Sequence, residues 1–137
     1  MKREAVTLAR HRLQRARETL HEGDLLREAN AQDGAVNRCY YAAFYAARAL
    51  LATLELDSPK HSGVIIALFN RHFVKTQVVA PDVARVLVRS FEKRLQSDYA
   101  DFARTTAEDL DRLAVDVRAF VDACAHVLES AIWSERA

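Results

Sequence analysis

The chain has 137 residues, of which half are hydrophobic, with three glycines, two prolines, two cysteines and a net charge of +1. A chain of this length forms one domain that buries about two-thirds of its unfolded surface, so we expect a single domain over residues 1–137. No apolar run approaches the ~20 residues of a membrane span. Cys39 and Cys124 both fall among apolar neighbours, which predicts buried free thiols in a cytoplasmic protein rather than a disulfide scaffold.

Charge is distributed in blocks. Residues 1–17 carry six Lys or Arg against one acid, 18–36 carry one against five, 37–97 carry nine against four, and 98–137 carry four against nine. Sixteen of the 20 cations are arginine, which is preferred where phosphate or carboxylate is gripped in a fork. Two interpretations stay open: the basic middle of the chain lines an anion site, or acidic and basic helices neutralise one another within a bundle.

The apolar residues recur at helical spacing, and no stretch alternates for long enough to predict a strand, so we expect an all-α bundle of about five helices. Gly23-Asp24 predicts the end of a first helix, with a turn or two before the break at Asp33-Gly34. Ser58-Pro59 and Pro81 are start signals, and Thr105 to Glu108 reads as a capping box after a loop at 101–104. The predicted helices span about 3–22, from after Gly34 to Glu55, 59–75, 81–97 and 106–132.

The second predicted helix has three distinct sides. Its large apolar side should form the core, and it comprises Val36, Tyr40, Ala43, Phe44, Ala47, Leu50, Leu51 and Leu54. A side of small residues, from Cys39 to Thr53, would let another helix approach closely. The third side carries Asn37, Arg38, Tyr41, Tyr45 and Arg48. Because buried guanidinium and phenol groups need partners, this polar stripe should face either an acidic residue elsewhere in the chain or a shared cleft.

The fourth predicted helix contains a local conflict. Arg94 falls inside its apolar stripe rather than on the solvated side, and Asp98 lies one turn further along the same face. An unpaired buried arginine would cost several kcal/mol. Asp98 therefore either neutralises Arg94 structurally, or the arginine awaits an anionic ligand.

Four segments together resemble the HEPN superfamily (higher eukaryotes and prokaryotes nucleotide-binding) in its short stand-alone prokaryotic branch. They are the stretch from Asn37 to Leu51, His61 to Ile65, Phe73 to Thr76, and Arg94 to Phe102. The resemblance covers about residues 5–130. It implies an up-and-down helical bundle that forms a homodimer. Many HEPN proteins are metal-independent RNases, often toxins paired with a small nucleotidyltransferase antitoxin.

The catalytic signature of the family is an arginine followed after four to six residues by a histidine, and this chain departs from it. Arg94 holds the arginine position, but Tyr99 follows five residues on, preceded by Asp98. The formal match from Arg15 to His21 is of a kind expected by chance in a chain with 16 arginines. Arg94 could hold a scissile phosphate, Asp98 could act as a base if burial raised its pKa, and Tyr99 as an acid if a nearby cation lowered its pKa.

These observations lead to one expectation and two alternatives. We expect a homodimeric effector with RNA as target, a nucleotidyltransferase-type partner, no membrane association and no metal or cofactor. The first alternative is a non-catalytic module that presents a nucleotide or substrate to a partner enzyme, and the second is a purely structural bundle. His61, at the start of the third predicted helix, is either a phosphate contact near the positive end of the helix dipole or a solvated cap residue.

Overall fold

The computed structural model describes residues 1–99, 101 and 105–136, with only the backbone of Arg136. Over this part of the chain the fold is all-α with five α-helices and no strand, as predicted. The predicted loop at 101–104 lies almost wholly outside the described residues. The helices are α1 (Arg3–Glu28), α2 (Gln32–Ala52), α3 (Ser62–Phe69), α4 (Pro81–Tyr99) and α5 (Ala107–Arg136), and a π-helical turn (Asn70–Val74) directly follows α3.

Helix α2 is the centre of the bundle. Both of its non-polar sides are buried, including Tyr40 at 2% exposure, Phe44 and a series of alanines from Ala35 to Ala52. Helix α2 runs antiparallel to both α1 and α4, because its contacts join the start of one helix to the end of the other. The three helices therefore pack up and down, as predicted. The small-residue side therefore serves the close helix approach that its composition predicts.

The predicted break at Gly23 is wrong, because α1 continues through it to Glu28. Gly23 is instead a point of close approach between α1 and α2. A Cβ at this position would lie 3.2 Å from Cβ of Arg38 and 3.7 Å from the backbone oxygen of Ala35. The glycine permits contact between the two helices at this point and does not end the helix.

Helices α1 and α5 run antiparallel and are joined by ion pairs along their length. Arg10 contacts Glu129 at 3.3 Å, Arg17 contacts Asp122 at 2.9 Å, and Arg27 contacts Asp111 at 3.2 Å. The basic first block of the sequence is thus matched to its acidic last block. Acidic and basic helices therefore neutralise one another in the case of α1 and α5. The remaining excess of positive charge lies in the segment from α2 to α4, so the interpretation as an anion site stays open there.

Several other boundaries differ from the predictions. Helix α2 begins at Gln32, so that Gly34 lies in its first turn, and it ends at Ala52, which leaves the predicted core residue Leu54 47% exposed. Helix α3 begins at Ser62 rather than Pro59, and its apolar residue Val64 is 45% exposed. The cap of α5 is Thr106, whose Oγ1 accepts a hydrogen bond from the backbone N–H of Asp109. The capping pair is thus shifted by one residue from the predicted Thr105 and Glu108.

Among the described residues, none of the helices is both long enough and apolar enough to cross a membrane.

Candidate functional site

Two arginines from different helices converge on one tyrosine ring. The guanidinium carbon of Arg38 (α2) lies 5.2 Å from the ring centroid of Tyr41, and that of Arg94 (α4) lies 5.4 Å from the same centroid. Arg94 is also 4.8 Å from the ring centroid of Tyr40. Electron-rich ring faces attract cations at these distances. We call Arg38, Tyr40, Tyr41 and Arg94 the arginine–tyrosine cluster.

The two guanidinium groups of the cluster are only weakly neutralised. Arg38 donates from Nε and Nη2 to Oδ1 of Asn37, at 3.2 and 2.7 Å, but that acceptor is neutral. The contact between Arg38 and Glu22 is 3.9 Å long. Nε of Arg94 lies 3.4 Å from Oδ2 of Asp98, yet this buried nitrogen has no hydrogen-bond partner within the described part of the chain. The cluster therefore combines two positive charges with unused donor capacity, which is suited to an anion.

Tyr40 is the buried member of the cluster. The sequence did not indicate it as a site residue, because it lies on the large apolar side of α2 that was assigned to the core. It is buried, and its ring stacks on Phe44 and contacts Phe91. Its hydroxyl group hydrogen-bonds to the hydroxyl group of Ser62 at the start of α3. A signal was present in the sequence, since a tyrosine on an apolar face needs a polar partner for its hydroxyl. The partner itself could be found only in three dimensions.

His61 precedes Ser62 and is the N-cap residue of α3, with extended backbone and no side-chain hydrogen bond to the helix. Its side chain is exposed. The structure thus places His61 next to the residue that holds Tyr40, at the amino-terminal end of a helix.

The polar stripe of α2 divides into two environments. Tyr45 continues the cluster: its ring is 6.1 Å from that of Tyr41, and the guanidinium carbon of Arg15 on α1 is 5.5 Å from its centroid. Arg48 instead faces an acidic residue, which was one of the two predicted alternatives. Its Nε and Nη2 donate to the two carboxylate oxygens of Asp57, each at 2.8 Å.

Asp57 anchors the loop between α2 and α3. In addition to Arg48, it accepts a hydrogen bond of 2.9 Å from Nη2 of Arg12, and its Oδ1 accepts one from the backbone N–H of Ser58. The hydrogen bonds from Arg48 and the nearby positive charge of Arg12 lower the pKa of Asp57 to about 2. A carboxylate held in this way is ionised at neutral pH and fixes the loop that leads to His61.

Asp98 and Tyr99 lie in the last turn of α4. The side chain of Asp98 is 42% exposed, whereas that of Arg94 is 27% exposed. The pair is therefore only partly buried, although the place of Arg94 in the apolar stripe predicted full burial. Tyr99 is 81% exposed. Because it lies five residues after Arg94, it is rotated by about 140° around the helix axis and points away from the cluster in the same chain.

Both cysteines are free and buried, as predicted. Burial raises the pKa of the Cys39 thiol to about 11 and raises that of Cys124 as well. Neither thiol is therefore a nucleophile at neutral pH. Within residues 1–99, 101 and 105–136, no three His, Cys, Asp or Glu side chains are grouped to hold a metal ion.

Comparison with known proteins bears directly on this arrangement of helices and arginines. Residues 9–127 match the family described as HEPN domain. The chain belongs to the HEPN family. The match includes α2, α3 and α4 in full and hence every member of the arginine–tyrosine cluster.

Individual HEPN relatives are similar over most of their length. A UPF0332 protein of Thermotoga maritima is 39% identical over 115 residues, which cover 84% of this chain and 86% of the relative. A protein of Methanocaldococcus jannaschii named "Putative toxin MJ0605" is 34% identical over 107 residues, 78% of each chain. A second protein of that organism, named "Putative toxin MJ0142", is 32% identical over 87 residues, 64% of this chain and 58% of the relative.

Proposed function

We propose that this HEPN protein is a toxin-type effector that binds RNA at the arginine–tyrosine cluster and cleaves it, and that a nucleotidyltransferase-type partner restrains it. The observation that carries the proposal is the convergence of Arg38 and Arg94 on Tyr41 with little neutralising charge. The names of the two Methanocaldococcus relatives support the toxin part. The family resemblance supports the partner.

Binding follows from the chemistry of Arg38, Tyr41 and Arg94, whose side chains are each partly exposed. Planar guanidinium groups match phosphate oxygens in pairs, and tyrosine rings provide faces for unstacked bases. Tyr45 and Arg15 extend the same surface along α1 and α2. A backbone phosphate seated between Arg38 and Arg94 would place the flanking nucleotides along this line. Such binding weakens steeply as the salt concentration rises.

Cleavage would proceed through the 2′-hydroxyl of the RNA itself. A base removes the 2′-OH proton, the 2′ oxygen attacks phosphorus, and the 5′ oxygen leaves with a proton from an acid. The products are a 2′,3′-cyclic phosphate and a 5′-hydroxyl end. In our proposal Asp98 takes the proton, Tyr99 returns one to the leaving oxygen, and Arg94 stabilises the charge of the phosphorane.

A homodimer completes this proposal. In a single chain Tyr99 points away from Arg94, so the acid and the phosphate site do not share a face. A two-fold axis beside the cluster would bring a second copy of α4 to the same cleft and would double its positive charge. Sedimentation equilibrium at micromolar concentration tests this part, because a monomer leaves the acid and the phosphate site apart.

A non-catalytic binding module is the second candidate, and the exposure of Asp98 favours it. A carboxylate that remains in water is a weak base for an alcohol proton. In that function Arg38, Arg94, Tyr41 and His61 would hold a nucleotide or an RNA end for a partner enzyme.

One experiment separates the two candidates. Purified protein is mixed with structured RNA in the presence and absence of a chelator, and both binding and the chemistry of the ends are measured. Arg94→Ala should reduce cleavage by about a hundred- to a thousandfold. The matched controls are Arg112→Ala, an exposed arginine on α5, and His21→Ala, which removes the chance Arg-to-His match. Binding without cleavage by the unmodified chain supports the binding module. Failure to bind RNA contradicts the RNA-cleaving effector, and failure to bind both RNA and a free nucleotide contradicts both candidates.

A further inference from the structure

An apolar groove runs between α3 and α4, on a surface that the RNA proposal does not use. It has a volume of about 480 Å³. One wall comes from α3 and the π-helical turn, the other from the first half of α4, and Phe69 and Leu87 line it between them. The side chains of Phe69 and Leu87 are both buried, so they form a well-packed apolar floor of the groove.

Helix α3 is apolar almost all the way round, yet only part of it is covered. The sequence from Gly63 to Phe69 contains no polar residue, and a helix of that composition is normally buried on every side. Only Ile65 and Phe69 are buried, whereas Val64 is 45% exposed and Ala67 is exposed. Across the groove Val88 is 40% exposed. Within residues 1–99, 101 and 105–136, one face of α3 thus has no packing partner.

The shape of the groove suits a helix. Gly63 and Ala67 are one turn apart on its α3 wall and keep that wall low, and a Cβ added at Gly63 would meet nothing within 4 Å. The wall from Ser62 to Val74 is roughly 20 Å long, which equals three to four turns of a docked helix. Recognition of this kind places apolar side chains at every third or fourth position into the groove.

The charges beside the groove select the partner. Arg71 follows Ala67 by one turn and Lys75 follows Arg71, and both are exposed and form no ion pair within the part of the chain that the structure describes. Arg85, on the opposite wall, pairs with Asp82 at 3.2 Å within the same helix. The end of the groove next to the turn between α3 and α4 is therefore positive, and the described residues do not neutralise it.

From this combination we propose that the groove between α3 and α4 is a docking site for an acidic amphipathic helix of a partner protein. A second copy of this chain fits less well. Beside the groove, Arg71 and Lys75 are exposed and Arg85 pairs with Asp82, so a two-fold contact would set an excess of positive charge against itself. RNA also fits less well, because the described lining offers no exposed aromatic ring for a base.

The proposal is tested by selection from a displayed library of helical peptides of about 16 residues, ~24 Å in length. Each peptide is apolar at every third or fourth position, and all other positions are drawn equally from Glu, Lys, Gln and Ser. We expect the selected peptides to be rich in glutamate and poor in lysine. Fluorescence anisotropy with the best peptide then gives its dissociation constant.

Two variants locate the site. Gly63→Gln with Ala67→Gln fills the groove from exposed positions, and Arg71→Glu with Lys75→Glu reverses its charge. Each pair should weaken peptide binding by at least about tenfold, that is ~1.4 kcal/mol. Val115→Gln, a substitution of an exposed apolar residue on α5, should leave binding unchanged. Circular dichroism checks that each variant folds, which is expected because every substituted position is exposed.

Four outcomes overturn the proposal. The first is that the selected peptides show no excess of glutamate, and the second is that both variant pairs leave peptide binding intact. The third is that the groove-filling pair converts a dimer to a monomer. The fourth is that the charge-reversal pair lowers RNA affinity when no acidic peptide is selected. The third outcome would make the groove a contact between copies, and the fourth would make it part of an RNA surface. None of them depends on whether the arginine–tyrosine cluster cleaves RNA.

Discussion

The guanidinium carbon of Arg94 lies 4.8 Å from the ring centroid of Tyr40, so a buried ring of α2 supports a charged group of α4. Tyr40 is in turn held by the hydroxyl group of Ser62. The orientation of Arg94 therefore depends on the start of α3, although Ser62 and Arg94 lie on different helices. Loss of the Tyr40 hydroxyl group should lower the free energy of unfolding, and loss of the ring should change the position of the Arg94 guanidinium group.

This arrangement predicts the behaviour of a double-mutant cycle. Tyr40→Phe and Ser62→Ala each remove the same hydrogen bond, so each should lower the free energy of unfolding by about 1 kcal/mol, and the double variant should lose little more than either single one. Urea unfolding provides the measurement. Strictly additive losses would mean that the two hydroxyl groups act independently. Tyr40→Leu, which also removes the ring, should weaken RNA binding more than Tyr40→Phe does.

The contact between Arg94 and Asp98 predicts a small stability effect. Both side chains are partly exposed and the contact is 3.4 Å long, so Asp98→Ala should cost no more than about 1 kcal/mol. A fully buried pair would instead cost about 3–5 kcal/mol when one partner is removed. Chemical denaturation of Asp98→Ala distinguishes the two values. A loss in the larger range would favour the structural role of the pair over a ligand site.

Tyr99 predicts a separation of activity from stability. Its side chain is 81% exposed, so Tyr99→Phe should leave the thermal midpoint unchanged. If Tyr99 protonates the leaving oxygen, the same change should slow RNA cleavage by about a hundredfold while RNA affinity stays the same. The measurement is single-turnover cleavage beside anisotropy, with Tyr99→Leu as a variant that lacks both ring and hydroxyl. Equal cleavage by the phenylalanine variant would remove Tyr99 from the mechanism.

Asp57 predicts how stability depends on pH. Its pKa falls from the ordinary value of 3.8 to about 2 in the folded chain. A carboxyl group with a lowered pKa contributes stability above its unfolded pKa and loses that contribution as the pH falls through the folded pKa.

The variant Asp57→Asn should therefore be less stable than the unmodified chain at pH 7, by about 1 kcal/mol once solvent screening of this partly exposed group is allowed for. The difference should shrink as the pH falls from 3.8 to about 2. Thermal unfolding at a series of pH values gives the curve. A difference that persists at pH 2 would show that the loss arises from the crowding of Arg12 and Arg48 and not from ionisation.

The sequence predicted the fold class and most of the core because the apolar period of each long helix is unambiguous. On α5 the apolar residues at helical spacing are all buried, namely Leu110, Leu113, Val117, Phe120, Val121, Cys124 and Leu128. The polar stripe of α2 was also found from its spacing, as was the conflict at Arg94.

Features that depend on a neighbouring element were not predictable in the same way. Gly23 looks like a helix terminator in one dimension, and only the position of α2 shows why a side chain is excluded there. Arg48, at one end of the polar stripe of α2, pairs with Asp57 rather than joining the arginine–tyrosine cluster. This pairing depends on where the loop between α2 and α3 packs against α2. The partial exposure of α3 is similar, since its composition suits a buried helix and its surroundings cover only one side.

The alanines buried on α2 have a consequence for genetic screens. Ala42, Ala43, Ala46 and Ala47 are each completely inaccessible, and the packing around them leaves no room for a larger side chain. If the chain is toxic, substitutions at these positions will survive selection as readily as those at Arg94, because an unfolded protein is removed by the cell. Hits on the alanine face should therefore lower protein abundance, whereas hits at Arg94 or Tyr99 should leave abundance normal, and an immunoblot sorts the two groups before any enzymology is attempted.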